Sequence, residues 1–117
     1  MMSNKKKEIR EKFRNAVFTR DSFTCRACNR NDISVDRLDA HHIHPRVLMP
    51  NGGYVEQNGI SLCEICHIKA EALLNYVQYG ISCENIDDIE DKYLPNELYK
   101  LIGSSKELAL EASKKLK

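Results

Sequence analysis

Tryptophan is absent, aromatic side chains make up only 7% of the 117 residues, and there are just three prolines. No apolar run approaches the roughly 20 residues needed to span a bilayer. The charged N-terminus has no apolar segment behind it of the kind a secretory signal carries. These absences argue against membrane and exported classes. What is present is an ordinary soluble composition, 42% hydrophobic and 30% charged. The length suits one compact domain with a short appendage. A domain this small buries a limited core, so a disulfide or a structural metal would help to hold it.

The formal net charge is only +1, but its distribution is uneven. Residues 1–30 carry nine basic side chains against three acidic ones, whereas residues 71–117 carry six against nine. A basic front suits a polyanion, and the acidic rear speaks against a uniform nucleic-acid wrap. A solvated, lysine-rich tail is the other reading of the same charges.

Five cysteines fall at Cys25, Cys28, Cys63, Cys66 and Cys83. The first four form two C-x2-C pairs, a spacing of metal knuckles rather than of disulfides. Their odd number, without an export signal, points to a reducing compartment, and cytoplasmic localisation is expected (the host cytoplasm if the chain is phage-encoded). Cys83 reads as a spare thiol.

Residues 1–7 read as a disordered basic tail. Ile9, Phe13, Ala16 and Val17 recur at helical spacing and predict an amphipathic helix from Glu8 to about Thr19. Phe23 to Cys28 reads as a tight knuckle turn. A strand is expected from Ile33 to His42, then a loop marked by Pro45, Pro50 and Asn51-Gly52-Gly53, with Tyr54-Val55 opening a returning strand. A helix should run from about Glu64 to Gly80, with His67 and Glu71 on one face and Ile68, Ala72, Leu73 and Tyr76 turned to the core. Beyond an acidic run from Glu84 to Asp91, Leu94-Pro95 opens a short helix closed by Gly103, and Ser104-x-x-Glu107 reads as a capping box for a last helix. There is no internal repeat or low-complexity tract.

Four thiolates suit tetrahedral Zn2+, and a closed shell of four leaves no open position for catalysis. Thirty-four residues separate Cys28 from Cys63, more than a plain zinc ribbon needs, and this insert contains His41, His42, His44 and Asn58. Two successive histidines on a strand point to opposite faces, so one can bind a metal while the other exchanges a proton. On the helix, His67 and Glu71 have a ligand spacing that is also common by chance.

The string His41-His42-Ile43-His44-Pro45, followed by Asn58-x3-Leu62-Cys63-x2-Cys66-His67, resembles the HNH nucleases of the ββα-metal class. The resemblance extends upstream to Arg20-Asp21-Ser22-Phe23-Thr24-Cys25-x2-Cys28 and covers about residues 14–75. It implies an α+β fold: a small ββα-metal core with a four-cysteine zinc knuckle, an N-terminal helix and a short helical C-terminal extension. On this reading residues 8–83 form the nuclease domain and residues 84–117 an extension packed on it. The resemblance further implies that His41 and His67 hold a catalytic divalent metal, and that His42 is the general base. Asn58 would brace the loop and His42, and in some members approaches the metal. Cys25, Cys28, Cys63 and Cys66 would hold a separate structural Zn2+. Glu71 stands where some members have a further histidine, so it completes the shell, acts through water, or takes no part. Sparse protein ligation leaves Mg2+, Mn2+, Ni2+ and Zn2+ all open for the catalytic metal.

Arg46 and His44 lie just beyond the strand end, and Arg14 and Arg20 on the basic helix, as candidate DNA contacts; ordinary exposed polar positions are the alternative. No recognition helix is visible, so DNA, expected to be double-stranded, would be bound with little sequence specificity. The leading reading is a metal-dependent endonuclease hydrolysing DNA and leaving 5′-phosphate and 3′-hydroxyl ends. Its alternative is a non-catalytic, zinc-stabilised nucleic-acid-binding module, which has no use for His41, His42 and His67 together. A third is a structural zinc domain that docks a protein partner, or a second copy, through residues 94–117. It explains the apolar stripe Leu94, Leu98, Leu101 and Ile102 but not the histidines.

Overall fold

The computed structural model describes residues 2–32, 34–80 and 89–116. Cys83, Ile33 and most of the acidic run from Glu84 lie outside the described residues. The elements are α1 (Met2–Arg20), β1 (Leu38–His42), β2 (Gly59–Cys63), α2 (Glu64–Tyr79), α3 (Pro95–Leu101) and α4 (Lys106–Lys114), with several one-turn 3-10 helices between them.

The centre is an antiparallel hairpin in which Leu38 pairs with Cys63 and His42 with Gly59. Alternation along β1 sends Leu38 and Ala40 to the α1 side, where they meet Phe13, Val17 and Phe18. Asp39 and His41 therefore face the other way, towards α2. On that side Ile60 and Leu62 join Cys66, Ala70 and Leu73 of α2 in the larger core. Gly59 lets α1 lie flat on the hairpin. A Cβ there would collide with Val17 and come within 2.8 Å of the Phe13 ring.

Helix α1 begins at Met2, not near Glu8, so residues 2–7 are helical where a disordered tail was expected. It ends where Ser22 and Phe23 both take positive φ of 54°. That left-handed turn is fastened by the Phe23 N–H bonding to the Phe18 carbonyl at 2.9 Å. Asp21, only 3% exposed, accepts the fork of Arg20 at 2.8 Å and the Ser61 N–H at 2.9 Å. A buried carboxylate is tolerated here because it is paired and bonded on both oxygens. It locks the end of α1 onto β2.

The first strand is shorter than expected. Residues 35–37 form a 3-10 turn, and β1 starts only at Leu38. Tyr54-Val55 belongs to the long loop, the returning strand beginning at Gly59. Helix α2 has the expected bounds, with Gly80 in the left-handed conformation at its end. Leu73 is buried as expected, but the rest of the buried face differs from the expectation. Cys66, Ala70, Leu73 and Leu74 are buried, while Ile68 and Tyr76 are 69% and 44% exposed. The reason is that Cys66 must reach the other cysteines and His67 must face β1, which together fix the rotation of the helix.

The C-terminal helices pack on this frame. Tyr93, Leu98, Tyr99 and Ala109 are buried in the same cluster as Ile60 and Leu62. Pro95 opens α3 as its first residue. The N-cap of α4 is Ser105 rather than Ser104, its Oγ accepting the Leu108 N–H at 3.2 Å. Ser104 instead donates to the Gln57 carbonyl. Asn51, in the loop, donates to the carbonyls of Ser113 and Leu116 at 2.9 Å and so closes the far end of α4.

Candidate active site and metal centres

The knuckle after α1 supplies Cys25 and Cys28, the end of β2 supplies Cys63, and the first turn of α2 supplies Cys66. Their four sulfurs all lie within 4.8 Å of one another. None is in a disulfide. The Cys28 and Cys63 sulfurs are 3.8 Å apart, which is about the edge of a tetrahedron with ~2.3 Å zinc–sulfur bonds. Burial pushes the Cys25 thiol up, but hydrogen bonds from the backbone of Cys28, Cys63 and Ala27 and from the Cys28 side chain together bring it down to about 7. Burial and the neighbouring cysteines push Cys66 up to about 12, against the hydroxyl of Tyr93, which bonds its sulfur at 3.3 Å. Four thiolates this close need a cation among them to be ionised together. The donor set fits Zn2+ and can hold one ion.

A second cluster lies on the α2 side of the hairpin. His41 of β1, with His67 and Glu71 one turn apart on α2, places three ligand atoms within 4.8 Å of one another. Glu71 Oε1 is 3.1 Å from His67 Nε2 and 3.4 Å from His41 Nδ1. His41 is 2% exposed, and neither of its ring nitrogens has a hydrogen-bond partner. Such an imidazole is costly to bury unless something else uses its lone pair. Desolvation by that burial lowers its pKa. His41 and His67 hold the Glu71 carboxyl well below the usual carboxylate range. His67 is shifted up, by Glu71 first and also by Asp39, whose Oδ2 lies 2.9 Å from His67 Nδ1. With Nδ1–H donating to Asp39, Nε2 is left turned to the cluster. Two imidazoles and a carboxylate in this arrangement fit a divalent cation of borderline character.

His42, next along β1, points to the opposite face. Its ring stacks on Phe13 at 4.5 Å between centroids and meets Tyr54 edge-on at 4.7 Å. Burial there, with His41 and Arg46 nearby, lowers its pKa to about 4, so the ring is neutral at pH 7. A cleft of about 340 Å³ joins His41, His42, Arg46, His67, Glu71 and Tyr79.

Asn58 is fully buried, and both ends of its amide are bonded within the loop and to α3. Its Nδ2 donates to the carbonyls of His44 and Gly53 at 3.1 and 3.2 Å. Its Oδ1 accepts the His44 N–H at 3.0 Å and the Tyr99 hydroxyl at 2.8 Å. It therefore braces the loop, through the His44 backbone rather than through the His42 ring.

The four candidate DNA contacts are dispersed. Arg46 lines the cleft and donates to the Tyr54 hydroxyl at 2.9 Å. Arg14 sits 5.1 Å over the Phe18 ring and lines a neighbouring cleft that also contains His42. Arg20 is committed elsewhere, to Asp21 and to the carbonyls of Glu56 and Gly59. His44 faces away, into a cavity with Glu97, Tyr99 and Lys106. Sequence reasoning missed Asp39, Tyr54, Tyr93 and Tyr99. Of these Asp39 alone left a signal, two residues before His41 and so on the same face of the strand.

Residues 25–72 match the family model of the HNH endonuclease. No curated protein and no solved structure matches the chain. The matched stretch contains both cysteine pairs, His41, His42, Asn58, His67 and Glu71, whereas α1, α3 and α4 lie outside it. Both clusters are assembled on a strand pair and one helix within residues 25–72, the stretch that is similar to the HNH endonuclease family, and the function this similarity implies is of nuclease type.

Proposed function

We propose that this chain is a metal-dependent endonuclease that hydrolyses phosphodiester bonds of DNA. The observation that carries the reading is His41: a buried imidazole with no hydrogen bond at either nitrogen, its Nδ1 3.4 Å from Glu71, beside His67 and one residue from a neutral His42. A nucleic-acid-binding module would have no use for that arrangement.

His41, His67 and Glu71 would hold the divalent cation, and Asp39 would fix the tautomer of His67. When bound, such an ion supplies Lewis acidity towards phosphate oxygens and relief of charge at the leaving oxygen. His42 takes a proton from the attacking water. Its neutral ring has a free lone pair, and stacking on Phe13 with an edge contact to Tyr54 holds it in one orientation. Negative phosphate in the cleft favours the imidazolium formed by that transfer. Asn58 and Tyr99 keep the loop that follows His42 in place. The knuckle cysteines, bound to Zn2+, would tie the end of α1 to the start of α2.

The test is plasmid cleavage by purified protein with Mg2+, Mn2+, Ni2+ or EDTA, run beside His42→Ala. Metal-dependent nicking that disappears in the variant is expected. Binding without cutting, identical in both proteins, would move the assignment to a zinc-stabilised binding module.

A further inference from the structure

Beside the His42 cleft is a separate cavity of about 400 Å³, lined among others by Lys6, Arg10, Arg46, Asn51 and Tyr54. Three of its walls are cationic, and none of its described lining residues is acidic. Its organising group is Tyr54. The Tyr54 hydroxyl accepts from Arg46 at 2.9 Å. Arg10 lines the same cavity as Arg46 and Tyr54, and although burial raises the Tyr54 pKa, Arg46 and Arg10 together draw it below the ordinary value. The Tyr54 ring is fixed in turn by edge contacts to His42 at 4.7 Å and to Phe13 at 5.6 Å.

Two like charges lining one cavity repel each other, and no described carboxylate lines it with them, Asp36 and Asp39 lining the adjoining cleft instead. That arrangement is favourable once an anion lies between them. Arg10 and Tyr54 also line the cleft that contains His42, so the cationic cavity and the base share walls. An anion held there is therefore adjacent to whatever His42 faces.

We propose that Arg10 and Arg46, set around Tyr54, form a phosphate subsite that grips one backbone phosphate of the DNA strand neighbouring the bond presented to His42. The inference rests on the nuclease reading for the identity of its ligand. Arg10 is the new member, on a helix outside the matched family segment. Its role is positioning: it sets the register of the strand while leaving the base sequence unread.

The test is binding of a fluorescent 20-base-pair duplex by anisotropy over a salt series, without added divalent metal or chelator, for Arg10→Ala, Arg46→Ala and the double variant. Lys12→Ala, on the same helix but outside the cavity, serves as control, and thermal melts establish folding. If two arginines share one phosphate, each single variant loses about tenfold in affinity and the double loses little more. The slope of log K against log salt should fall by about one unit in the double variant. Tyr54→Phe should weaken binding two- to threefold, by loosening the arginines. Additive losses equal to that of Lys12→Ala would reduce the cavity to general surface charge and overturn the proposal. Calorimetry with inorganic phosphate supplies the other arm. Saturable uptake of the free anion, with duplex affinity unchanged in the variants, would overturn the DNA assignment. Cleavage is read separately. A chain that fails to cut but shows the coupled loss keeps the subsite and loses the nuclease reading; one that cuts while the variants bind as the parent does the reverse.

Discussion

The hydroxyl of Tyr99, from α3, donates a 2.8 Å hydrogen bond to Oδ1 of Asn58, which lies within the stretch matched by the HNH endonuclease family model. A residue outside the matched family segment thus completes the bonding of one inside it. Both are buried, so neither can turn to water instead. The C-terminal helices are part of what holds the loop that follows His42.

Tyr99→Phe keeps the ring and removes that bond. Asn58 Oδ1 retains the His44 N–H, so the loss is one hydrogen bond without an orphaned acceptor, about 1 kcal/mol. A drop in melting temperature of roughly 4 °C is expected by calorimetry. An unchanged melt would show that the bond contributes nothing.

Tyr93 makes the corresponding link to the knuckle through the Cys66 sulfur at 3.3 Å. A donor on a thiolate ligand stabilises its charge and strengthens retention of the ion. About one tightly held Zn2+ per chain is expected by elemental analysis after dialysis, and Cys63→Ser should lose it and unfold. Tyr93→Phe should fold but release zinc to a colorimetric chelator several-fold faster. Equal release rates would remove Tyr93 from that role.

What the sequence showed best was what short spacing controls. The two cysteine pairs, the His41-His42 step and the bounds of α2 need only the geometry of a knuckle, a strand and a helix. The face of α2 was misread because Ile68, Ala72 and Tyr76 satisfy a helical apolar stripe as well as Cys66, Ala70 and Leu73 do. The choice between them depends on Cys66 meeting cysteines far away in sequence. Arg20 looked like a phosphate contact, and only the fold shows it paired with Asp21. The bonds from Tyr93 and Tyr99 were illegible for a similar reason: nothing local distinguishes a tyrosine that fills space from one that also donates to a particular partner.

His44 ties stability to pH. Burial and the charge of Lys106 lower its pKa, and Glu97 and Tyr99 line the same cavity. Its folded-state pKa lies below that of the unfolded chain, about 6.5. The folded form thus takes up the proton less readily. The contribution of His44 is fully present above about pH 6.5 and is lost as pH falls through the folded value. Melting temperature should decline between pH 7 and 5, and His44→Gln should make that decline shallower. Parallel profiles for the two proteins would assign the acid sensitivity to other groups.

Asp39 separates the proposed metal site from a mere cluster of polar side chains. It lies 2.9 Å from His67 Nδ1, and that contact keeps Nε2 pointed at Glu71 and His41. Asp39→Asn preserves the size of the side chain but removes the charge that makes His67 a better donor. Outer carboxylates of this kind are worth about 10–100-fold in metal affinity. The metal concentration giving half-maximal cleavage should therefore rise by about that factor, while the rate at saturating metal changes little. A lowered rate at every metal concentration would instead mean that Asp39 acts on the bound substrate. An unchanged titration would mean that His67 is oriented by the helix alone.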